Sequence, residues 1–573
     1  MAHFHIKTKK GRPYLYVREI ARVNGKPKVI SQIYIGSPEK TAALAKGDFQ
    51  EEKHLRVEEF GALWAALQMD SDIDLAGIID SVITCSDKET GPSVGEYFLY
   101  CVLNRMVEAK SKNQLSEWYR NTAIQHIRPV EIDALNSQRY WEKWNRVDEK
   151  KLDIISKKFF EKIWALESPI ADCLLFDTTN YYTFMASDTE SELAMRGKNK
   201  EGRHHLRQVG LGLMVAKDSR LPLHYSVYPG NLHDSRQFKE IMDDMFGVVC
   251  GLNKTKDRLT IVIDKGMNSH ENYSYIDEHS RMHFVTTYST YFAEDLAITP
   301  IERFEVVDTE KNRRLALENK PTERLLAYRT TGEFWGKDRA VVVTHNPSTA
   351  RKKNYNLDAK LDTLRQELIL MREKVREQVP HWRSPEAINE RYLRLCERLH
   401  ISSDLYEIEL SSSRGQLTMA FRKDAYRVER KRSAFGRNII ITDNIDWTTE
   451  EIVQSSLDRW QVEDRFRMSK DDDLIGTLPI RHWTDSKIRC HLFCCVVALT
   501  YLRRLELKLK RHGINRTAPS AIEDMNHLHS ILSTNGSRKP RRYLERPSKT
   551  QAEVLTALGY RINGEGVLQS SNK

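Results

Sequence analysis

The stretch Asp172–Tyr182, DCLLFDTTNYY, marks where the chain changes character. Before Pro169 the apolar residues recur every three or four positions; here they run together as CLLF and stop at an acid, Asp177. A short apolar run bounded by polar residues fits a strand buried on both faces. Two more strands, QVGLGLMVA and LPLHYSVYPG, follow around the polar turn KDSR. DSRQFKEIMDDMFGVVCGL then has helical period, with Asp234 placed as its N-cap. LTIVIDKGMNS is a second buried strand, ending at Asp264, and a helix around ENYSYIDEH and a strand HFVTTY come after it. This order predicts an α/β fold, a mixed sheet flanked by helices on both faces.

Outward from this core, the organisation is read from composition and period. Residues 1–50 are a basic β-hairpin region: the first forty hold nine Lys/Arg against two acids, and Asn24-Gly25 separates two strand-like runs. A basic ribbon is a candidate DNA contact. Residues 51–168 read as a helical domain, for DNA-end binding or dimer contact. Residues 169–289 form the first part of the core. Residues 290–447 interrupt it as an inserted α+β subdomain. There Leu357, Leu361, Leu364, Leu368, Met371 and Val375 form a coiled-coil-like seam. After Pro380 and Pro385, a second helix with Ile388, Tyr392, Leu395 and Leu399 completes a helical hairpin. Residues 448–510 complete the core, opening on the capping box Thr448-Thr449-Glu450-Glu451. Residues 511–573 read as a mostly helical region ending in a polar tail.

Bulk properties set limits. A chain of 573 residues exceeds one core and divides into about three or four domains. Its net charge of +10, from 90 Lys and Arg against 80 Asp and Glu, suits a polyanionic partner. The longest apolar run, FCCVVALTYL, is about half of what a bilayer span needs, so no membrane partner is expected. The absence of a secretory pattern and eight scattered cysteines fit a cytoplasmic protein. Cys490, His491, Cys494 and Cys495 lack the paired spacing of common zinc sites and read as buried packing.

A later segment, Asp458–Asp473, DRWQVEDRFRMSKDDD, places Arg459, Glu463 and Lys470 along one side of a helix. Such spacing fits a solvated face with i,i+4 ion pairs, or a metal-binding carboxylate flanked by cations that grip phosphate. Carboxylates at the ends of neighbouring strands, Asp177 and Asp264, can converge, and a helix across the sheet can add Glu463. Hard oxygen ligands of this kind suit Mg²⁺, and a pair of ions about 3.5–4 Å apart can activate a water or 3′-hydroxyl and stabilise the leaving oxygen. No nucleophile elbow, P-loop or His-Glu-x-x-His pattern competes for the chemistry. Asp172, Asp188, Asp243 and Asp244 occupy similar places. Trp460 and Phe466 read as core residues of the helix, and His204 and His205 as solvated loop residues.

Taken together, these segments resemble the DDE transposases of bacterial insertion sequences, within them the superfamily with a Tyr-x2-Arg-x3-Glu-x6-Lys motif and its longer-chain group. FDTTNYYTF is similar to the first-aspartate strand and IVIDKGMNS to the second. SLDRWQVEDRFRMSK carries Arg459-x3-Glu463-x6-Lys470 at the family spacing. GKNKEGRHHLRQVGLGLMV and PLHYSVYPGNLHDS resemble the stretch between the aspartates, and the likeness spans roughly residues 90–510. The resemblance implies an RNase H-like core, with Asp177, Asp264 and Glu463 as catalytic ligands of two Mg²⁺ ions and Mn²⁺ as a substitute. It implies that Arg459 and Lys470 contact the phosphates of the DNA end. It further implies binding to terminal inverted repeats, strand hydrolysis, transfer of the 3′-ends to target DNA, and a homodimer on paired ends, associated with the bacterial nucleoid when bound. The family tyrosine falls at Ser456, so its phosphate contact is shortened or supplied elsewhere. The alternative is an inactive or domesticated DNA-binding protein, or a nuclease without strand transfer.

Overall fold

The apolar runs CLLF and LTIVI pair as parallel neighbours in the middle of a ten-stranded mixed sheet. The computed structural model describes the chain except residues 1, 10, 24, 47–52, 85–90, 171, 186–188, 198–201, 233–237, 240, 244–246, 248–257, 414, 536–539 and 572–573. The Asp234 cap, Asn24, Asp188 and Asp244 lie outside the described residues. The chain forms two units, one of Met1–Leu63, Arg120–Arg128 and Glu523–Lys573, the other of Trp64–Tyr119 and Pro129–Ile522.

The larger unit holds the sheet. Its strands are β1 (Cys173–Thr183), β2 (Met195–Arg196), β3 (Arg207–Ala216), β4 (Pro222–Pro229), β5 (Leu259–Ile263), β6 (Met282–Tyr288), β7 (Glu305–Val306), β8 (Leu326–Phe334) and β9 (Lys337–His345). After a separate hairpin, β10 (Tyr406–Ser413) and β11 (Gln416–Lys423), comes β12 (Arg437–Thr442). The sheet order is β7-β8-β9-β12-β6-β5-β1-β3-β2, with β4 also on β3. β1, β5 and β6 are mutually parallel, whereas β3 and β12 run antiparallel to their neighbours. Leu174, Phe176, Ile261, Ile263, Phe284 and Ile441 belong to one buried apolar cluster, as expected for strands buried in the middle of a sheet.

Two features of the larger unit's sheet differ from the sequence expectation. β1 does not end at Asp177 but runs on to Thr183, because Thr178 through Thr183 pair in register with β3. Their polar side chains conceal a strand whose β-branched and aromatic residues suit a pleated surface. The segment that interrupts the core also contributes to the main sheet, since β9 and β12 extend it as antiparallel neighbours. Between them, Pro347–Arg376 and Pro385–Leu399 form helices, and the six seam residues Leu357 to Val375 are buried with Ile388, Tyr392 and Leu395 against Leu417 and Met419.

Helix Asp485–Arg511 is buried along much of its length, Cys490, His491, Cys494 and Cys495 included. Phe493 meets Phe98 of helix Val94–Val107 and Phe159 of helix Glu149–Glu167, both with ring centroids 6.0 Å apart. Near its C-terminal end, Arg504 donates to Glu167 at 2.7 Å and to the Met69 carbonyl, and Arg511 meets the same carboxylate at 2.7 Å. Burial pushes the Glu167 carboxyl up, but the two guanidinium groups outweigh it and hold it below its ordinary value. This pair therefore stabilises the fold above the unfolded carboxylate pKa and is lost as pH falls through the folded one. Arg504→Ala leaves the buried Glu167 carboxylate to the exposed Arg511, and the expected loss is about 3 kcal/mol in urea unfolding at neutral pH, the low end for a broken buried pair. A loss under about 1 kcal/mol would show the pair to be screened as a surface bridge is.

The smaller unit carries three antiparallel strands at its start, Ala2–Lys9, Arg12–Val23 and Lys26–Gly36, one more than the expected hairpin. Gly25 takes φ +77° in the second turn, a left-handed conformation glycine adopts without steric cost. The C-terminal stretch also differs from its helical reading. His529–Asn535 pairs with Lys53–Glu59 and with Arg541–Leu544, and Tyr560–Ile562 pairs with Leu568–Ser570. Among the described residues, helices there are limited to Ala518–Asn526 and Lys549–Ala557. Within the first of these sheets the buried carboxylate of Glu58 is met by Arg542, by Arg56 at 3.2 Å and by His126 at 3.1 Å. No helix among the described residues is long and apolar enough to cross a membrane.

Candidate active site

The register of β1 and β5 dictates where two acids fall. Cys173, Leu174 and Leu175 pair with Thr260, Ile261 and Val262, after which the strands part. Continuing that register by two residues sets Asp177 against Asp264, which directly follows β5. Side-chain alternation turns Phe176 into the apolar cluster and Asp177 to the opposite face. The Asp177 carboxylate also accepts the Thr178 amide at 2.8 Å. Asp264 caps the short turn Lys265–Met267 by accepting from the Gly266 amide.

The third acid comes from across the sheet. The Thr448–Glu451 capping box is present and starts helix Thr449–Asp458, but the helix stops there. Glu463 stands on the next helix, Trp460–Ser469, so the single helix expected from sequence is two. Arg459 lies between them with φ −54° and ψ −28°, still in the right-handed helical region. The second helix is fixed against β1 by a 2.5 Å hydrogen bond between the Tyr181 and Ser469 hydroxyls, and Lys470 lies 5.7 Å from the Tyr181 ring centroid.

Arg459 ties the three acids together. One of its terminal nitrogens is 3.7 Å from the Asp177 carboxylate and 3.5 Å from that of Asp264, and the other is 2.8 Å from Glu463. Asp177 is the most enclosed, its side chain 13 % exposed, and Glu463 the most open at 50 %. The cleft around them measures about 670 Å³, and Thr178, Thr179, Phe466, Arg467, Lys470 and Asp471 complete its lining. Phe466 is buried as expected. Trp460 is not a core residue: it is 49 % exposed, with the Arg220 guanidinium 5.0 Å from its ring centroid. His204 and His205 are exposed in their loop, and Ser456 is half-buried on the preceding helix.

Chemically, the donor set fits a hard divalent cation: three carboxylates from three elements, already drawn to one positive charge. Among the described residues they are not gathered into a ready cluster of three metal ligands, since each carboxylate turns to the same guanidinium. Sequence reasoning did not single out Thr178, Thr179 or Arg467. The first two simply continue β1 beyond Asp177. Arg467 stands four residues after Glu463, as Arg459 stands four before it, and that spacing was the available signal. Of the other acids, Asp243 accepts from Tyr275 at 2.5 Å and Asp172 lies before β1, both away from this cleft.

The family model described as "Transposase DDE domain" matches residues 183–499, a span that begins just past Asp177 and includes Asp264 and Glu463. No curated protein matches the chain. Among solved structures, the chain is similar to the cryo-EM structure of a piggyBac transposase synaptic complex with hairpin DNA. The two share 9% identity over 81% of this chain and 79% of that one, at a TM-score of 0.36.

Proposed function

Because the chain belongs to the transposase DDE domain family, we propose that Asp177, Asp264 and Glu463 form the acidic site at which it cuts and joins DNA. The observation that carries this reading is the single guanidinium of Arg459, within 3.7 Å of Asp177, 3.5 Å of Asp264 and 2.8 Å of Glu463. The strand order β4-β3-β1-β5-β6, antiparallel across β4, β3 and β1 and parallel from β1 to β6, supports an RNase H-like core for it.

The three carboxylates would hold two Mg²⁺ ions, or Mn²⁺ in their place, which when bound supply activation of the attacking oxygen and stabilisation of the leaving one. Arg459 presents a planar fork that suits two phosphate oxygens, whereas Lys470 is a point charge at the far end of the same helix. Both offset the repulsion between an acidic site and a phosphate backbone, and they set which phosphodiester lies over Glu463.

In this reading the protein is an insertion-sequence transposase that recognises terminal inverted repeats. Water attacks the phosphorus at each element end, releasing a 3′-hydroxyl; that hydroxyl then attacks a phosphodiester of the target and displaces a new 3′-hydroxyl. A homodimer would hold two ends together. The basic N-terminal strands and the helical region of residues 51–168 are the elements proposed to read DNA or to join subunits. The test is excision and rejoining of a marker flanked by the element's own ends. Mg²⁺-dependent excision with covalent joining to a target plasmid is expected. Cleavage without joining would replace the transposase by a nuclease, and end binding without cleavage would leave a DNA-binding protein.

A further inference from the structure

A second cavity, about 960 Å³, lies beside the candidate active site within the larger unit. The two share one segment: Asp471 lines the acidic cleft, and Asp472 and Gly476 line the cavity. That segment is held in place by Arg105, which donates to the carbonyls of Ile475 and Gly476, each at 2.6 Å. The wall between the two spaces is therefore preformed.

The lining is cationic and aromatic. Lys112 donates to the Cys101 sulfur at 3.0 Å and lies 4.8 Å from the Trp144 ring centroid. Lys487 donates to the Asn145 amide oxygen and lies 4.3 Å from the Trp141 ring centroid. Neither lysine meets a carboxylate among the described residues, and Arg481 is exposed at the mouth. Burial first, and then the positive charges of Lys112 and Arg105, hold His482 and His491 well below their ordinary values, so both rings are neutral. Four polar atoms of buried lining residues have no partner among the described residues: Arg105 Nε, the Tyr140 hydroxyl, Trp144 Nε1 and His491 Nδ1.

We propose that this cavity binds single-stranded DNA, with phosphates on Lys112 and Arg481 and a base against Trp141. Excess positive charge calls for a polyanion, and an aromatic ring that is 52 % exposed beside a lysine offers a stacking platform. Only an unpaired strand can present a base face to it, since a duplex keeps its bases stacked inside. The assignment rests on the DNA-processing reading above: a strand leaving the acidic cleft past Asp471 enters this cavity at Asp472.

The test uses the full chain in EDTA, so that cleavage plays no part. Anisotropy of a labelled oligothymidylate of about ten nucleotides reports binding. Trp141→Ala is expected to weaken it about tenfold without changing affinity for a duplex of equal length. Arg481→Gln is expected to weaken it and to reduce the slope of log affinity against log salt by about 0.7. Both positions are exposed, and thermal melting of each variant should match that of the parent. Unchanged oligothymidylate affinity in both variants, an equal loss for duplex in Trp141→Ala, or no binding by the parent would each overturn the assignment. The outcome is separate from that of the excision assay. A protein that binds the oligonucleotide through Trp141 but cuts no ends retains the cavity and loses the transposase reading, and the reverse result does the opposite.

Discussion

Glu463→Gln is expected to abolish end cleavage while leaving the fold and DNA-end binding intact. The substitution keeps the length of the side chain and a comparable helix propensity. The side chain is half exposed, and its ion pair with Arg459 at 2.8 Å is of the partly solvated kind that contributes no more than about 1 kcal/mol. On the proposed reading, it removes a charged oxygen donor from a site that stabilises negative charge on the reacting phosphate. Losing such a ligand costs several kcal/mol of transition-state stabilisation, equivalent to about a thousandfold or more in rate. The check is single-turnover cleavage of a labelled terminal fragment with Mg²⁺, alongside a gel shift and a thermal melt of the same preparation. Cleavage within about tenfold of the parent would remove Glu463 from the site. A collapse of the melting temperature would instead show that the residue supports the fold, which its exposure argues against.

The convergence that makes this prediction specific is partly legible in the sequence. Asp264 follows a run, LTIVI, that stops where the strand stops, so its position at the sheet's end could be read directly. Asp177 was placed correctly as the residue that leaves the apolar run and incorrectly as the end of its strand, because the polar residues after it pair with β3 as well as the apolar ones do. Hydrophobic pattern reports burial, and burial and strand pairing part company at the edge of a cleft. The break at Arg459 was hidden for another reason: residues on both sides of it favour a helix, and nothing in local propensity distinguishes one helix from two. The C-terminal strands were missed because their partner, Lys53–Glu59, comes from near the other end of the chain. Trp460 has helical spacing compatible with a core position, yet it is half exposed, with the Arg220 guanidinium over its ring. The seam from Leu357 to Val375, by contrast, is set by local period alone, and all six residues are buried as read.

The second large effect concerns Arg459, whose position gives it two opposed roles. Without DNA its guanidinium serves as counter-cation to Asp177, Asp264 and Glu463. Any divalent ion entering among these carboxylates meets that charge at close range. Two positive charges a few ångströms apart repel by about 1 kcal/mol even at the dielectric of water, and by more when partly enclosed. Arg459→Ala removes the repulsion and frees the carboxylate oxygens it now holds. Mn²⁺ binding to the DNA-free protein, followed by paramagnetic resonance of the free ion, is expected to tighten about tenfold or more. The same variant should cut poorly, because the fork proposed to grip the end's phosphates is gone. Arg459→Lys separates the two roles: a point charge retains much of the repulsion but not the planar, bidentate geometry. Its Mn²⁺ affinity should stay near that of the parent while cleavage falls. If Mn²⁺ binds the alanine variant no more tightly than the parent, the guanidinium is not competing for the carboxylates, and their convergence on it would say nothing about where a metal ion sits. If the lysine variant cuts as well as the parent, charge alone suffices and the fork has no part in placing the scissile phosphate.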